Sequence, residues 1–98
     1  MNILKINQDV LAVNIYDVIF EMENNNIDPR FYSILGETGL PQDGQYVIDK
    51  AGKYTWIVYV IERGERVEEM RFAKEDEACR YFLDLILRHA EYMKKYRT

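Results

Sequence analysis

The sequence predicts an α+β domain. An antiparallel sheet of three to four strands should lie between an N-terminal helix and a long C-terminal helix, in the order α-(β)-β-β-β-α. Three observations carry that expectation. Residues 53–61 (KYTWIVYVI) are dense in β-branched and aromatic side chains, which suit a pleated, half-buried strand. Turn residues bracket this run, Ala51-Gly52 before it and Arg63-Gly64 after it. Apolar residues recur at helical spacing in the segments towards both ends of the chain. With 98 residues and 48% hydrophobic content, the chain fits a single domain, 1–98. A chain of this size buries roughly 60–70% of its unfolded surface, enough for one core without staples.

The first helix is expected from about residue 8 to residue 23. Val10, Val13, Asp17 and Phe20 sort into one helical row, and Ile15, Ile19 and Met22 into another. Asn7 could cap it, and Asn24-Asn25-Asn26 should end it, because asparagine tolerates the left-handed backbone that helix ends often need. Asp28-Pro29 then forces an extended or turn geometry. Residues 31–35 (FYSIL) are short, aromatic and β-prone, and fit an edge strand. Gly36 to Gly44 holds three glycines and Pro41 and is the longest loop, a place where binding residues often sit.

Three strands follow. If Ala51-Gly52 and Arg63-Gly64 are both two-residue turns, one face carries Tyr46, Ile48, Thr55, Ile57, Tyr59, Ile61, Met70 and Phe72. The other carries Val47, Asp49, Tyr54, Trp56, Val58, Val60, Val67, Glu69 and Arg71. The same count sets Lys50 across from Lys53 and Glu62 across from Glu65. Like charges across a pair are unfavourable, so a longer turn at either end stays open. A one-residue slip would swap the faces of a strand.

The last helix is expected from about residue 74 to residue 96. Ala78, Phe82, Leu85, Ile86, His89 and Met93 make its core stripe. Its acidic start (Glu75, Asp76, Glu77) and basic end (Lys94, Lys95, Arg97) complement the helix dipole. Both helices can cover the face bearing Ile57, Ile61, Met70 and Phe72. The Trp56 face would then need another cover: a helix, the glycine-rich loop or a partner protein.

Chemistry-bearing residues are sparse. The one histidine, His89, falls on an apolar stripe with no nucleophile patterned around it, and Cys79 sits early in a helix without a hydrolase signature. One Cys and one His do not make a zinc set, and Gly36, Gly39 and Gly44 lack the lysine and helix start of a phosphate loop. The adjacent carboxylates read as solvated faces. No catalytic residue, metal or other cofactor is expected. The expectation is not an enzyme.

Charge is segregated. Residues 1–49 hold two bases, Lys5 and Arg30, against eight acids, a balance of −6; residues 50–98 hold eleven bases against nine acids, a balance of +2. Such an acidic half repels phosphate backbones and favours a basic partner, so direct binding of nucleic acid is not expected. No apolar run approaches the ~20 residues of a membrane span, so no membrane association is expected. A single cysteine, together with no signal-like stretch in residues 1–5, makes the cytoplasm the expected compartment. The eight tyrosines suit protein interfaces, where a rigid ring contributes area and its hydroxyl finds a partner.

Tyr32-Ser33-Ile34-Leu35-Gly36, Trp56-Ile57-Val58-Tyr59, Glu62-Arg63-Gly64, Phe72 and the run from Glu75 to Phe82 together resemble small bacterial immunity proteins of polymorphic toxin and contact-dependent growth inhibition systems. Ile34, where the pattern has leucine, and the long basic tail after Arg88 depart from it. The resemblance implies a protein that binds a cognate toxin C-terminal domain and blocks its active site or substrate path, with no catalytic residues of its own. Many such toxins resemble basic nucleases acting on tRNA or DNA, which an acidic inhibitor surface would complement. The toxin-binding candidates are Glu37 and Asp43 in the long loop, Asp49, and Tyr54, Trp56 and Glu69 from the Trp56 face. For Trp56, core packing competes with partner contact. The alternative is a small ligand-binding or enzymatic α+β domain, which requires a concave pocket with convergent polar groups.

Overall fold

In the computed structural model, which describes residues 14–37 and 39–94, the first helix, α1 (Ile15–Asn24), opens on a capping box. The Asn14 side chain accepts from the Asp17 amide at 2.9 Å, and the Asp17 carboxylate accepts from the Asn14 amide at 3.2 Å. Asn14 is extended, so the expected helix does not run through it. The asparagine three residues ahead of an aspartate was the overlooked signal. The expected Asn7 cap and helical residues 8–13 lie outside the described residues. The asparagine run ends α1 as expected. Asn26 is left-handed (φ 57°), its amide reaches the Glu23 carbonyl at 3.1 Å, and the Ile27 amide reaches the Met22 carbonyl at 3.0 Å. Met22 and Ile27 are both fully buried, completing the hydrophobic contact that accompanies this type of helix end.

A 3-10 turn (Pro29–Phe31) leads into β1 (Tyr32–Ile34). The remaining strands are β2 (Tyr46–Lys50), β3 (Trp56–Glu62) and β4 (Glu65–Phe72), in the spatial order β1-β2-β3-β4. The α+β class and element order stand as expected, but the sheet is mixed rather than antiparallel: β1 pairs parallel to β2. Parallel neighbours need a long crossover, and residues 35–45 provide it by returning the chain to the starting end of the sheet. That connection is tied down by Gln45, whose side chain accepts from the Gln42 amide at 2.9 Å and donates to the Arg30 carbonyl at 3.3 Å.

Two local events set the faces. Between β2 and β3 the turn has five residues, 51–55, closed by the Ala51 amide on the Thr55 carbonyl at 2.8 Å, so Lys50 lies opposite Trp56 rather than Lys53. The longer turn separates the two lysines and lets Lys50 Nζ sit 4.8 Å from the Trp56 ring centroid while donating to the Lys53 carbonyl. Between β3 and β4 the two-residue Arg63-Gly64 turn holds, with φ of 54° and 81°. Glu62 stays opposite Glu65 despite the like charges. A bulge then interrupts the ladder opposite Tyr59, where Glu68 takes φ 53°. Beyond it Met70 pairs with Val58 and Phe72 with Trp56. An extra residue shifts the pleat by one and turns the rest of the strand over.

The result corrects the expected faces: β3 is inverted relative to its neighbours. Tyr46, Ile48, Met70 and Phe72 share a face with Trp56, Val58 and Val60, not with Ile57 and Ile61. This Trp56 face is the helix-covered one. Ile34, Ile48 and Val58 join Val18, Met22, Ile27, Phe82 and Ile86 in the main core. Val47, Ile57, Tyr59 and Ile61 form a second buried cluster on the opposite face. Neither sheet face is left bare.

Ser33 lies opposite Val47 in the β1–β2 ladder and is 1% exposed, yet its hydroxyl has no hydrogen-bond partner. A buried orphan hydroxyl costs about 1–3 kcal/mol in lost hydration. Ser33→Ala should therefore raise stability by about 1 kcal/mol, a rise of several degrees in Tm. A lower Tm in a calorimetric scan would show that the hydroxyl is bonded after all.

The helix α2 (Glu75–Leu87) crosses β2, β3 and β4 and packs against α1. The Glu75 carboxylate accepts from the Ile15 amide at 3.0 Å, tying the two helix starts together. The expected helix over 74–96 breaks at Arg88-His89 and resumes as the short α3 (Ala90–Met93). Its physical cause lies in His89. Nδ1 of His89 sits 3.2 Å from the Leu85 carbonyl, the acceptor its own amide would take in a continuous helix, and that amide turns to Ile86 instead. The expected helical residues beyond 94 lie outside the described residues.

Candidate interaction surface

The six residues proposed from sequence do not converge. Glu37 is exposed in the turn after β1. Asp43, also exposed, accepts from the Gly64 amide at 2.7 Å and so links the long loop to the β3–β4 turn. That bond gives Asp43 a structural role at one end of the sheet. Tyr54 stands at the opposite end, in the β2–β3 turn, 75% exposed with Lys53 Nζ 5.5 Å from its ring centroid. Trp56 is half-buried against the main core, and Lys50 covers its ring.

Asp49 and Glu69 lie on the other face of the sheet. Asp49 accepts from the Lys50 amide at 2.8 Å, and Glu69 pairs with Arg71 at 2.9 Å. Arg71 pairs with Ile57 in the ladder, and the guanidinium of Arg66 lies 4.3 Å from the Tyr59 ring centroid. These charges rim the second apolar cluster. The surface therefore offers two separate candidate areas rather than one patch: Tyr54 at the turn, and the Asp49–Glu69–Arg71 rim.

Of the two groups with intrinsic reactivity, Cys79 is closed off and His89 is exposed. Cys79 is fully buried, and burial pushes its thiol up to about 12, helped by the neighbouring Glu75, Asp17 and Asp76 carboxylates. A thiol held protonated in this way is a poor nucleophile. His89 is engaged by the Leu85 carbonyl, with the Tyr46 hydroxyl 3.3 Å from the same nitrogen. Among the described residues no group of three or more His, Cys, Asp or Glu side chains is placed to hold a metal ion. No helix among them is long and apolar enough to cross a membrane.

A different surface stands out on α1. Its buried stripe is Ile15, Val18 and Met22. The opposite stripe holds Tyr16 and Phe20, 81% and 63% exposed, with Glu23 and Asn24 also exposed. Residues four apart on a helix are neighbours, so the two rings form one aromatic strip. Between Ile15 and Asn24 the charged residues are Asp17, Glu21 and Glu23, with no base. Helical spacing alone places Phe20 in a row without deciding which row faces outward.

No protein-family model, curated protein or solved structure matches this chain at a significant level.

Proposed function

We propose that this protein binds and neutralises the C-terminal toxin domain of a secreted polymorphic toxin, a basic nuclease acting on tRNA or DNA, by blocking its active site or its substrate path. The observation that carries the proposal is the charge segregation: a balance of −6 over residues 1–49, in a chain whose central block resembles immunity proteins. A nuclease must be positive where it holds phosphates. An acidic inhibitor takes the place of that phosphate charge, speeds encounter and excludes substrate. The buried thiol and engaged histidine fit a protein that works by occupancy and makes or breaks no bonds. It acts in the cytoplasm of the producing cell, without a cofactor.

Co-expression and pull-down with the toxin domain encoded by the preceding gene tests this reading. The expected result is a stoichiometric complex, rescued growth, and association that slows on the order of 100-fold between low and high salt as steering is screened. Recovery of this chain alone, with toxicity intact, would remove the proposal.

A further inference from the structure

We propose that the outward strip of α1, Tyr16 and Phe20 flanked by Asp17, Glu21 and Glu23, is the protein's docking surface, and that its occupant is a basic protein groove with an apolar floor. The inference rests on the neutralisation reading for the partner's identity. The geometry of the surface itself is independent of it.

The fold does not account for these two rings. Ile15, Val18 and Met22 already bury the inner stripe of α1, and Ile19 adds to the main core from its edge. Tyr16 and Phe20 lie on the far side and add nothing to that packing. An exposed phenylalanine beside an exposed tyrosine on a regular helix is an apolar strip that water disfavours. An amphipathic helix laid into a groove presents its anchors at this spacing, i and i+4. Large rigid rings also lose little conformational entropy on binding, which suits them as anchors.

The charges choose the occupant. None of the ion pairs among the described residues uses Asp17, Glu21 or Glu23. Asp17 closes the capping box, and the Glu21 carboxylate accepts from the Asn25 side chain at 3.3 Å, so both are held in place by neutral groups. The acidic belt continues onto the start of α2, where Glu75 bonds the first amide of α1 and Glu77 is exposed. Self-docking through this strip would set carboxylates against carboxylates. A lysine- and arginine-lined groove complements it instead.

Tyr54 and the Glu69 rim are the competing candidate areas, so the same titration compares them with the α1 strip. The toxin domain encoded by the preceding gene is titrated against wild type, Tyr16→Ala/Phe20→Ala, Glu21→Gln/Glu23→Gln and Tyr54→Ala/Glu69→Gln, with on- and off-rates measured at two salt concentrations. Loss of two central anchors should weaken binding at least about 30-fold, mainly by faster dissociation. The neutralised acidic pair should associate about 3–10-fold more slowly at low salt and show a flatter salt dependence. A larger loss of affinity in Tyr54→Ala/Glu69→Gln than in Tyr16→Ala/Phe20→Ala would move docking to the sheet and overturn the proposal.

Binding by wild type that is unchanged in the Tyr16/Phe20 variant would overturn the docking surface and leave the neutralisation reading intact. No binding by wild type would overturn that reading and this proposal with it. Thermal unfolding supplies a check that needs no partner. The Tyr16/Phe20 variant should melt with wild type, whereas a Tm lowered by several degrees would mean the chain's own residues cover the rings. Sedimentation of wild type alone as a dimer that Tyr16→Ala/Phe20→Ala dissociates would make a second copy the occupant. Either result overturns the proposal.

Discussion

Phe82→Ala should remove about 3–5 kcal/mol of stability, between a fifth and the whole of it. Phe82 is the largest fully buried side chain among the described residues, in the second turn of α2, within the cluster that joins both long helices to the Trp56 face of the sheet. Removing a buried phenylalanine side chain costs about 3–5 kcal/mol, the lost transfer energy plus the cavity left behind. A domain of this size has about 5–15 kcal/mol in total. The cavity would lie where α2 meets the rest of the core, so little can relax into it without moving the helix. Urea unfolding followed by circular dichroism should show a midpoint lowered by about a fifth or more. Phe82→Leu, which keeps most of the volume, should cost under about 1.5 kcal/mol. A midpoint for Phe82→Ala within a tenth of wild type would mean that this core is not the one holding the fold.

Cys79 should be nearly inert in the folded protein and should make stability fall in alkali. Its folded value, about 12, lies above the ordinary 9.0, first because the thiol is buried and then because Glu75, Asp17 and Asp76 oppose a second negative charge. Below about pH 9 both folded and unfolded chains keep the proton, and the thiol adds no pH dependence. Between pH 9 and pH 12 the unfolded chain releases it while the folded chain does not. The unfolded state then binds fewer protons, so stability falls as pH rises through that window. The stability difference between wild type and Cys79→Ala, measured from pH 8 to pH 11, should therefore narrow or change sign in favour of the variant. In parallel, a thiol reagent at pH 8 should label unfolded protein on the order of 1000-fold faster than native protein, the ratio of thiolate fractions for a thiol raised from 9.0 to about 12. Equal labelling rates would show an accessible thiolate.

Local chemistry made much of this fold legible. The asparagine run ends α1 through Asn26, Arg63-Gly64 makes a two-residue turn, and Ala78, Phe82, Leu85 and Ile86 line the core as their spacing implies. Those features depend on residues within a few positions of one another. The faces of the sheet were less accessible. They depend on how many residues a turn consumes and whether a strand carries a bulge, and an odd error in either count inverts a strand. The lysine pair that the short turn implied was a warning, and Lys50 over Trp56 is how the chain resolves it. The parallel β1–β2 pairing was hidden because a loop of residues 35–45 can return a strand in either sense.

The interaction surface was legible in part. The excess of acid in the first half is read directly from the chain, but the sheet-face candidates assumed that the Trp56 side lacked a cover. With helices over that side, Trp56 sits half-buried at the core. The two bare aromatic rings lie on α1, where two apolar rows compete for the interior and only packing against α2 selects one.

Taken by itself, the sequence determined the class of fold, the order of elements, the end of α1 at its asparagine run, the Arg63-Gly64 turn and the separation of charge, because each follows from propensities and counts along the chain. Tertiary structure alone decided which side of each strand looks inward, which helix row meets water, and how completely the thiol of Cys79 is buried in the main core. Those outcomes turn on contacts between segments far apart in the chain, where one extra residue in a turn or a bulge reverses the direction in which a side chain points.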